Sequence, residues 1–277
     1  MLIEDYAVRD KLADQKGGGM SIAVDACAAQ HQGDRKEQQD RVAILPHARK
    51  RGVALAVVAD GMGGHTGGAL AAEQVVHTAK TNLDQFSSTD EIPQRMLENS
   101  MHEAHTMIKA SRFMNEMDPH STAVMLLLQP GKITWGHCGD SRIYHFRGNT
   151  LVERSIDHSY VEHLVAMGKI TAEQALTHPN RNVLLASLGG QDEPKVALSE
   201  TIDLVAGDAF VLCSDGLWAY FDDNELGTLV AQNSARQACE ILIDKARRRA
   251  KGGGDNLSLA IIKLVEALPA KKAPPRT

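Results

Sequence analysis

A chain of 277 residues, 43% of them apolar and with a formal net charge of −5, has the length for one large domain or two small ones and enough apolar side chain for a proper core. Charges of both signs are interspersed, which argues against a nucleic-acid or membrane-surface role, and no apolar run approaches the length of a membrane span. Cys27, Cys138, Cys213 and Cys239 have no paired spacing, and three of them lie in apolar segments; they read as packed thiols in a reduced cytoplasmic setting.

The chain opens on residues 1–20, which end in Gly17-Gly18-Gly19-Met20, carry acidic residues and no signal-peptide hydrophobic region, and are expected to form a flexible extension. A first strand is predicted over 21–29, then a polar loop over 34–40 and a β-branched central strand over 53–59. Helical periodicity follows over 67–83, with Leu70, Val75, Val76 and Ala79 on one face, and over 92–112, with Met96, Leu97, Met101, Ala104 and Ile108 inward; the two are expected to run antiparallel. Short strands at 123–129, 133–138 and 142–146 are separated by Pro130-Gly131 and Gly139-Asp140, the pattern of a meander. Helices at 159–167 and 172–175, strands at 202–204 and 209–213, helices at 223–230 and 235–250, and a strand at 257–264 complete the set, and the tail 267–277 is expected to be disordered. Meander strands with paired helices imply one α+β domain over 21–266, helices packed on stacked sheets.

Chemistry concentrates in four strings that set an aspartate against glycine or an amide: Gln39-Asp40, Asp60-Gly61, Asp215-Gly216 and Asp255-Asn256. A carboxylate at the end of a buried strand costs several kcal/mol unless it is paired or binds a metal. Gly61 next to Asp60 lets a backbone carbonyl approach the same ion. A simple Asp-Gly turn explains any one of these strings alone. Carboxylates delivered from distant strand ends, with little Cys or His beside them, suit a hard divalent cation held through oxygen. Asp140, in the turn of Gly136 to Tyr144, adds a further carboxylate, and no cysteine heads a glycine-rich phosphate loop of the kind thiol phosphatases use.

Taken together and in this order, the strings resemble the PPM family, the metal-dependent serine/threonine protein phosphatases of type 2C, and in particular its compact bacterial members; the resemblance spans about residues 21–266. It implies a four-layer αββα sandwich of two antiparallel sheets flanked by antiparallel helix pairs, with a flap subdomain over about 158–190. It implies two manganese or magnesium ions. Asp60 would bridge them, the Gly61 carbonyl would serve the second, Asp215 and Asp255 would complete the first, and Asp40 would act close by through ordered water. Asp140 and Asp215 would hold a third, weaker ion. Arg35 would clamp the substrate phosphate, as a guanidinium fork suits, and His65 either assists proton transfer or is a glycine-loop histidine bound to backbone. Asn256 and Ser141 would orient the adjacent carboxylates or close turns. The flap would select substrate, and the basic run Lys245 to Lys251 would be a solvated helix end.

The implied reaction is hydrolysis of phosphoserine and phosphothreonine by direct attack of a water bridging the two ions, in a monomer acting on phosphoproteins made by a cognate serine/threonine kinase. Two rivals stand beside it: a pseudophosphatase that binds partners without turnover, and a related enzyme of small phosphorylated metabolites. The chain departs from the family pattern at Gln38-Gln39-Asp40, at Pro119-His120-Ser121-Thr122 and in the place of Gly33-Asp34 before Arg35.

Overall fold

The computed structural model describes residues 1–8, 22–63, 66–87, 90–115 and 118–267. In chain order it comprises β1 (Leu2–Val8), β2 (Ile22–His31), β3 (Asp40–Pro46), β4 (Ala54–Met62), α1 (Thr66–Gln85), α2 (Pro93–Asn115), β5 (His120–Ser121), β6 (Ala123–Gln129), β7 (Lys132–Cys138), β8 (Arg142–Arg147) and β9 (Thr150–Arg154). Then come α3 (Tyr160–Ala166), α4 (Ala172–Leu176), β10 (Ala197–Thr201), β11 (Asp208–Cys213), α5 (Asp215–Trp218), α6 (Asp223–Gln232), α7 (Ala235–Ala250) and β12 (Leu257–Glu266). One sheet runs β1-β2-β12-β11-β8-β9; the other runs β10-β7-β6-β4-β3 with the short β5 beside β4, and every pairing is antiparallel.

The layering follows from the two-residue period of the central strands. In β4, Ala56 and Val58 point between the sheets while Leu55, Val57 and Ala59 point under α1 and α2; in β6, Val124 and Leu126 do the first and Met125 and Leu127 the second. In the opposite sheet, Ala26, Ala28, Phe210, Leu212, Ala260 and Ile262 fill the inter-sheet layer, and Cys27, Val211, Leu259 and Ile261 pack against α6 and α7. Strands covered on both faces read as nearly unbroken apolar runs. Three apolar layers therefore separate four layers of secondary structure, the αββα sandwich expected from the sequence.

Helix α2 buries Met96, Leu97, Met101, Ala104 and Ile108 as its periodicity predicts, whereas α1 uses Ala71, Ala72, Val75, Ala79 and Leu83, leaving Leu70 at 55% exposure on the solvent face. Helix α7 begins with a capping box between Ser234 and Gln237 and ends on Lys251 in the left-handed region.

Four expectations change. Residues 2–8 are not part of a flexible extension: β1 pairs with β2 from Leu2 opposite Gln30 to Val8 opposite Val24 and covers that sheet edge, while residues 9–21 lie outside the described residues. β3 extends the loop residue Asp40 into a strand paired with β4, and β9 adds an exposed edge hairpin to β8. The strand expected at 202–204 lies instead at Ala197–Thr201, paired to β7, and Ile202 is 65% exposed. Residues 268–277 of the tail lie outside the described residues, and among the described residues no helix is long and apolar enough to cross a membrane.

Phe210 is fully buried in the inter-sheet layer, its ring stacked 4.4 Å from His145. Phe210→Ala should lower the unfolding free energy by about 3–5 kcal/mol in urea titration; a loss under about 1 kcal/mol would show that the two sheets do not depend on this contact.

Candidate active site

The parity that packs the inter-sheet layer also ends it in polar groups. Continuing the inward register of β4 past Ala56 and Val58 reaches Asp60, directly opposite Asp40 on β3. Across the seam, the register of β11 past Leu212 reaches Ser214, whose hydroxyl donates to Asp40 Oδ2 at 2.8 Å. Between β5 and β6, Thr122 Oγ1 accepts the Asp60 N–H at 3.0 Å and lies 2.7 Å from Ser141 Oγ. The site is thus the polar cap of the sandwich core, with one wall from each sheet.

A cavity of about 520 Å³ opens on this cap, lined among others by Arg35, Asp60, Gly61, Asp140, Asp215 and Asp255. Asp215 opens α5 at the end of β11, Asp255 precedes β12, and Asp140 sits in the turn that carries the chain from β7 in one sheet to β8 in the other. Asp40 lies behind them at 1% exposure and Asp140 at 9%. The structure therefore gathers all of the sequence-predicted acidic positions, together with Arg35, at one place. His65 lies outside the described residues.

Glycine at 61 has a steric cause. A Cβ there would meet the Gly68 carbonyl oxygen at 1.9 Å, so strand β4 and the start of α1 touch backbone to backbone beside Asp60. The turn holding Asp140 is fixed by Gly139 in the left-handed region, by the His158 N–H donating to the Gly139 carbonyl at 2.9 Å, and by Trp218 Nε1 donating to the Asp140 carbonyl at 3.0 Å. Trp218 in turn carries the Arg142 guanidinium 3.5 Å above its ring, and Arg142 forms a bidentate pair with Asp157.

Asn256 is the staple of the loop that presents Arg35. Its Nδ2 donates to the carbonyls of Gln32 at 2.7 Å and Glu37 at 2.9 Å, and its Oδ1 accepts the Gln39 N–H at 2.7 Å. Of the two readings the sequence left for Asn256, orienting the neighbouring carboxylate or closing a turn, its side chain follows the second and closes the 32–39 loop.

Electrostatically the cavity is dominated by carboxyls, with Arg35 and Lys36 as the cationic side chains of its lining. Burial, reinforced by Asp215, pushes the Asp40 carboxyl up to about 7, and burial with the nearby Asp215 pushes Asp140 up to about 8. Desolvation raises Asp60 well above the usual carboxylate range, with Asp40 adding to it, and desolvation with Asp255 raises Asp215. The Asp60 and Asp215 carboxyls lie within hydrogen-bonding reach of each other. Arg35 Nη2 donates to Asp255 Oδ2 at 2.5 Å, which raises the Arg35 pKa, and Asp255 Oδ1 accepts the Asn256 N–H.

Both Asp255 oxygens are thus engaged, and among the described residues no three Asp, Glu, His or Cys side chains form a ready ligand set around one ion. What remains close together is the Asp60–Asp215 pair, with the Gly61 backbone on the same cavity wall. An all-oxygen donor set whose carboxyls are held above their ordinary pKa by burial and, secondarily, by mutual repulsion fits a hard divalent cation.

Residues 27–253 match the family model described as protein phosphatase 2C. A protein phosphatase 2C-type protein of Streptococcus pyogenes is 30% identical over 234 residues, covering 82% of this chain and 93% of its own. The serine/threonine protein phosphatase PstP of Mycobacterium tuberculosis is 30% identical over 221 residues, covering 78% of this chain and 41% of its own. Among solved structures, the S. agalactiae serine/threonine phosphatase superposes with a TM-score of 0.77 at 28% identity, covering 88% of this chain and 100% of its own. The PstP catalytic domain in complex with two manganese ions gives 0.74 at 26% identity, covering 88% and 100%. The chain belongs to the protein phosphatase 2C family, the PPM serine/threonine phosphatases, in its bacterial branch.

The acidic cap sets a pH dependence. Asp40 and Asp140 titrate near 7 and 8 in the folded chain against an ordinary 3.8, so the folded state holds protons that the unfolded state has released, and the associated stability is lost as pH rises through those folded values. Burial holds the His137 and His158 imidazoles below their ordinary value, so they titrate under this window. Metal-free protein should therefore melt at lower temperature at about pH 8.5 than at about pH 6.5. A melting temperature that stays level or climbs over that interval in scanning fluorimetry contradicts the assignment.

Proposed function

We propose that this chain dephosphorylates phosphoserine and phosphothreonine in proteins, using a pair of manganese or magnesium ions held by Asp60, Asp215 and the Gly61 carbonyl, with Asp255 and Asp40 close by and Asp140 available to a third, weaker ion. The convergence of these groups with Arg35 on one cavity carries the reading, and the two manganese ions bound by the PstP catalytic domain support it. Bound cations supply Lewis acidity that activates water near neutral pH. The chain's own residues then have distinct tasks. Arg35, exposed at the mouth and tethered at one nitrogen to Asp255, offers its remaining donors to the phosphoryl oxygens. Asp40 accepts from Ser214 and adds negative charge behind the ligand pair.

The flap segment borders the same cavity. It folds back on itself through a bridge between Ser159 and Leu184, and Asn182 and Leu184 line the cavity together with Lys36 and Glu37. Side chains in that position meet whatever flanks the phosphorylated residue, so the reading assigns the flap to substrate selection and expects phosphoproteins of a serine/threonine kinase as substrates.

Manganese-dependent release of phosphate from a phosphothreonine peptide tests the reading. Asp60→Asn and Asp215→Asn should each lower kcat by about 10³-fold or more with unchanged far-UV circular dichroism, and a chelator should silence the wild type. Metal-loaded wild type without turnover would leave a binding module, and preference for a panel of phosphorylated metabolites over the peptide would reassign the substrate.

A further inference from the structure

The loop that presents Arg35 has no secondary structure of its own between β2 and β3, and its close approach to the 254–255 backbone is enforced at Gly33, where a Cβ would meet the Asp255 carbonyl oxygen at 1.9 Å. Two fastenings hold it. One is Asn256, inside the site. The other lies behind the loop and outside the cavity lining: Arg247, in the last turn of α7, donates through Nη1 to Asp34 Oδ2 at 2.7 Å and through Nη2 to Asp34 Oδ1 at 2.8 Å. Asp34 also accepts the Gly254 N–H at 2.8 Å and returns its own N–H to the Gly254 carbonyl at 2.9 Å. Asp34 and Arg35 are adjacent, so a fork on α7 grips the residue next to the one that reaches the cavity.

The other basic residues of the run have different partners. Arg248 pairs with Asp244 four residues earlier on the same helix, and Arg249 pairs with Glu225 on α6. Arg247 alone among the three reaches the Arg35 loop. Its side chain is 28% exposed and that of Asp34 26%, whereas Arg35 is 62% exposed, so a partly shielded pair anchors the loop from which a more exposed guanidinium, itself held at one nitrogen by Asp255, reaches the cavity. A bidentate fork fixes direction as well as distance, which a lysine cannot reproduce.

Building on the phosphatase reading, we propose that Asp34 and Arg247 are positioning residues for phosphate capture: their pairing sets where the Arg35 guanidinium stands relative to the acidic cap, and α7 thereby tunes substrate affinity from outside the cavity. A misplaced guanidinium weakens the grip on phosphoryl oxygens without altering the groups at the reacting centre, so the signature is a split between KM and kcat.

Arg247→Ala should raise KM for a phosphothreonine peptide roughly tenfold while kcat stays within about twofold, and it should weaken inorganic phosphate binding to manganese-loaded protein by a similar factor in calorimetry. Arg247→Lys should fall in between. In an Arg35→Ala background, Arg247→Ala should add nothing, because the residue acts through Arg35. Unchanged phosphate affinity in Arg247→Ala, a fall in kcat at constant KM, or an effect additive with Arg35→Ala would each overturn the proposal. Phosphate binding is read without turnover, so a wild type that hydrolyses nothing yet loses phosphate affinity in Arg247→Ala would sink the phosphatase reading and leave the positioning role standing. Should Arg247→Ala fail to fold, Arg247→Lys carries the same comparison.

Discussion

Desolvated negative charge governs this molecule. Asp40, Asp60, Asp140 and Asp215 end up where an apolar layer between two sheets gives way to a cavity, and each carboxyl is pushed up by burial and by its neighbours. A core that served stability alone would end in neutral groups, because carboxylates brought this close repel in a medium that screens poorly. The arrangement is offset in part by the Ser214 hydroxyl donating to Asp40 and by Arg35 bound to Asp255 at the mouth. Bound cations of the kind proposed above would relieve it, and the energetic weak point of the fold would then coincide with its chemical centre.

The site is also a seam. Asp40 and Asp60 come from one sheet, Asp215 and Asp255 from the other, and Asp140 from the turn that crosses between them. Relative sliding of the sheets would pull the acidic groups apart, so the apolar packing of Phe210, Leu212, Val124 and Leu126 sets the geometry of the chemistry as well as the stability of the fold. The Ser214 to Asp40 hydrogen bond crosses that seam at its polar end.

Much of this was legible in the chain because the informative signals were local. Asp60, Asp215 and Asp255 each adjoin an apolar strand and are followed by glycine or an amide, and the inward face of α2 follows directly from its spacing. What escaped was non-local or lay at an edge. β3 begins Asp40-Arg41 and ends at Pro46, so polar termini masked a short strand that only its pairing with β4 establishes. β1 interrupts its apolar residues with the adjacent Glu4-Asp5 and so lacks the alternation of a half-buried strand, and it becomes a strand because β2 offers it an open edge. Leu70 fits the helical face by spacing yet falls beyond the rim of the sheet. The contact between Asp34 and Arg247 joins residues 213 apart in sequence, and no pattern within either segment announces it.

The alternation along β4 has an implication for how this chain can change. Because Asp60 is simply the next inward position after Ala56 and Val58, deleting or inserting one residue upstream in that strand would rotate the apolar faces outward and, in the same stroke, turn the carboxylate away from the cavity. The register therefore favours gain and loss of residues in the segments outside the sandwich, such as 158–190, and change by substitution alone in the central strands.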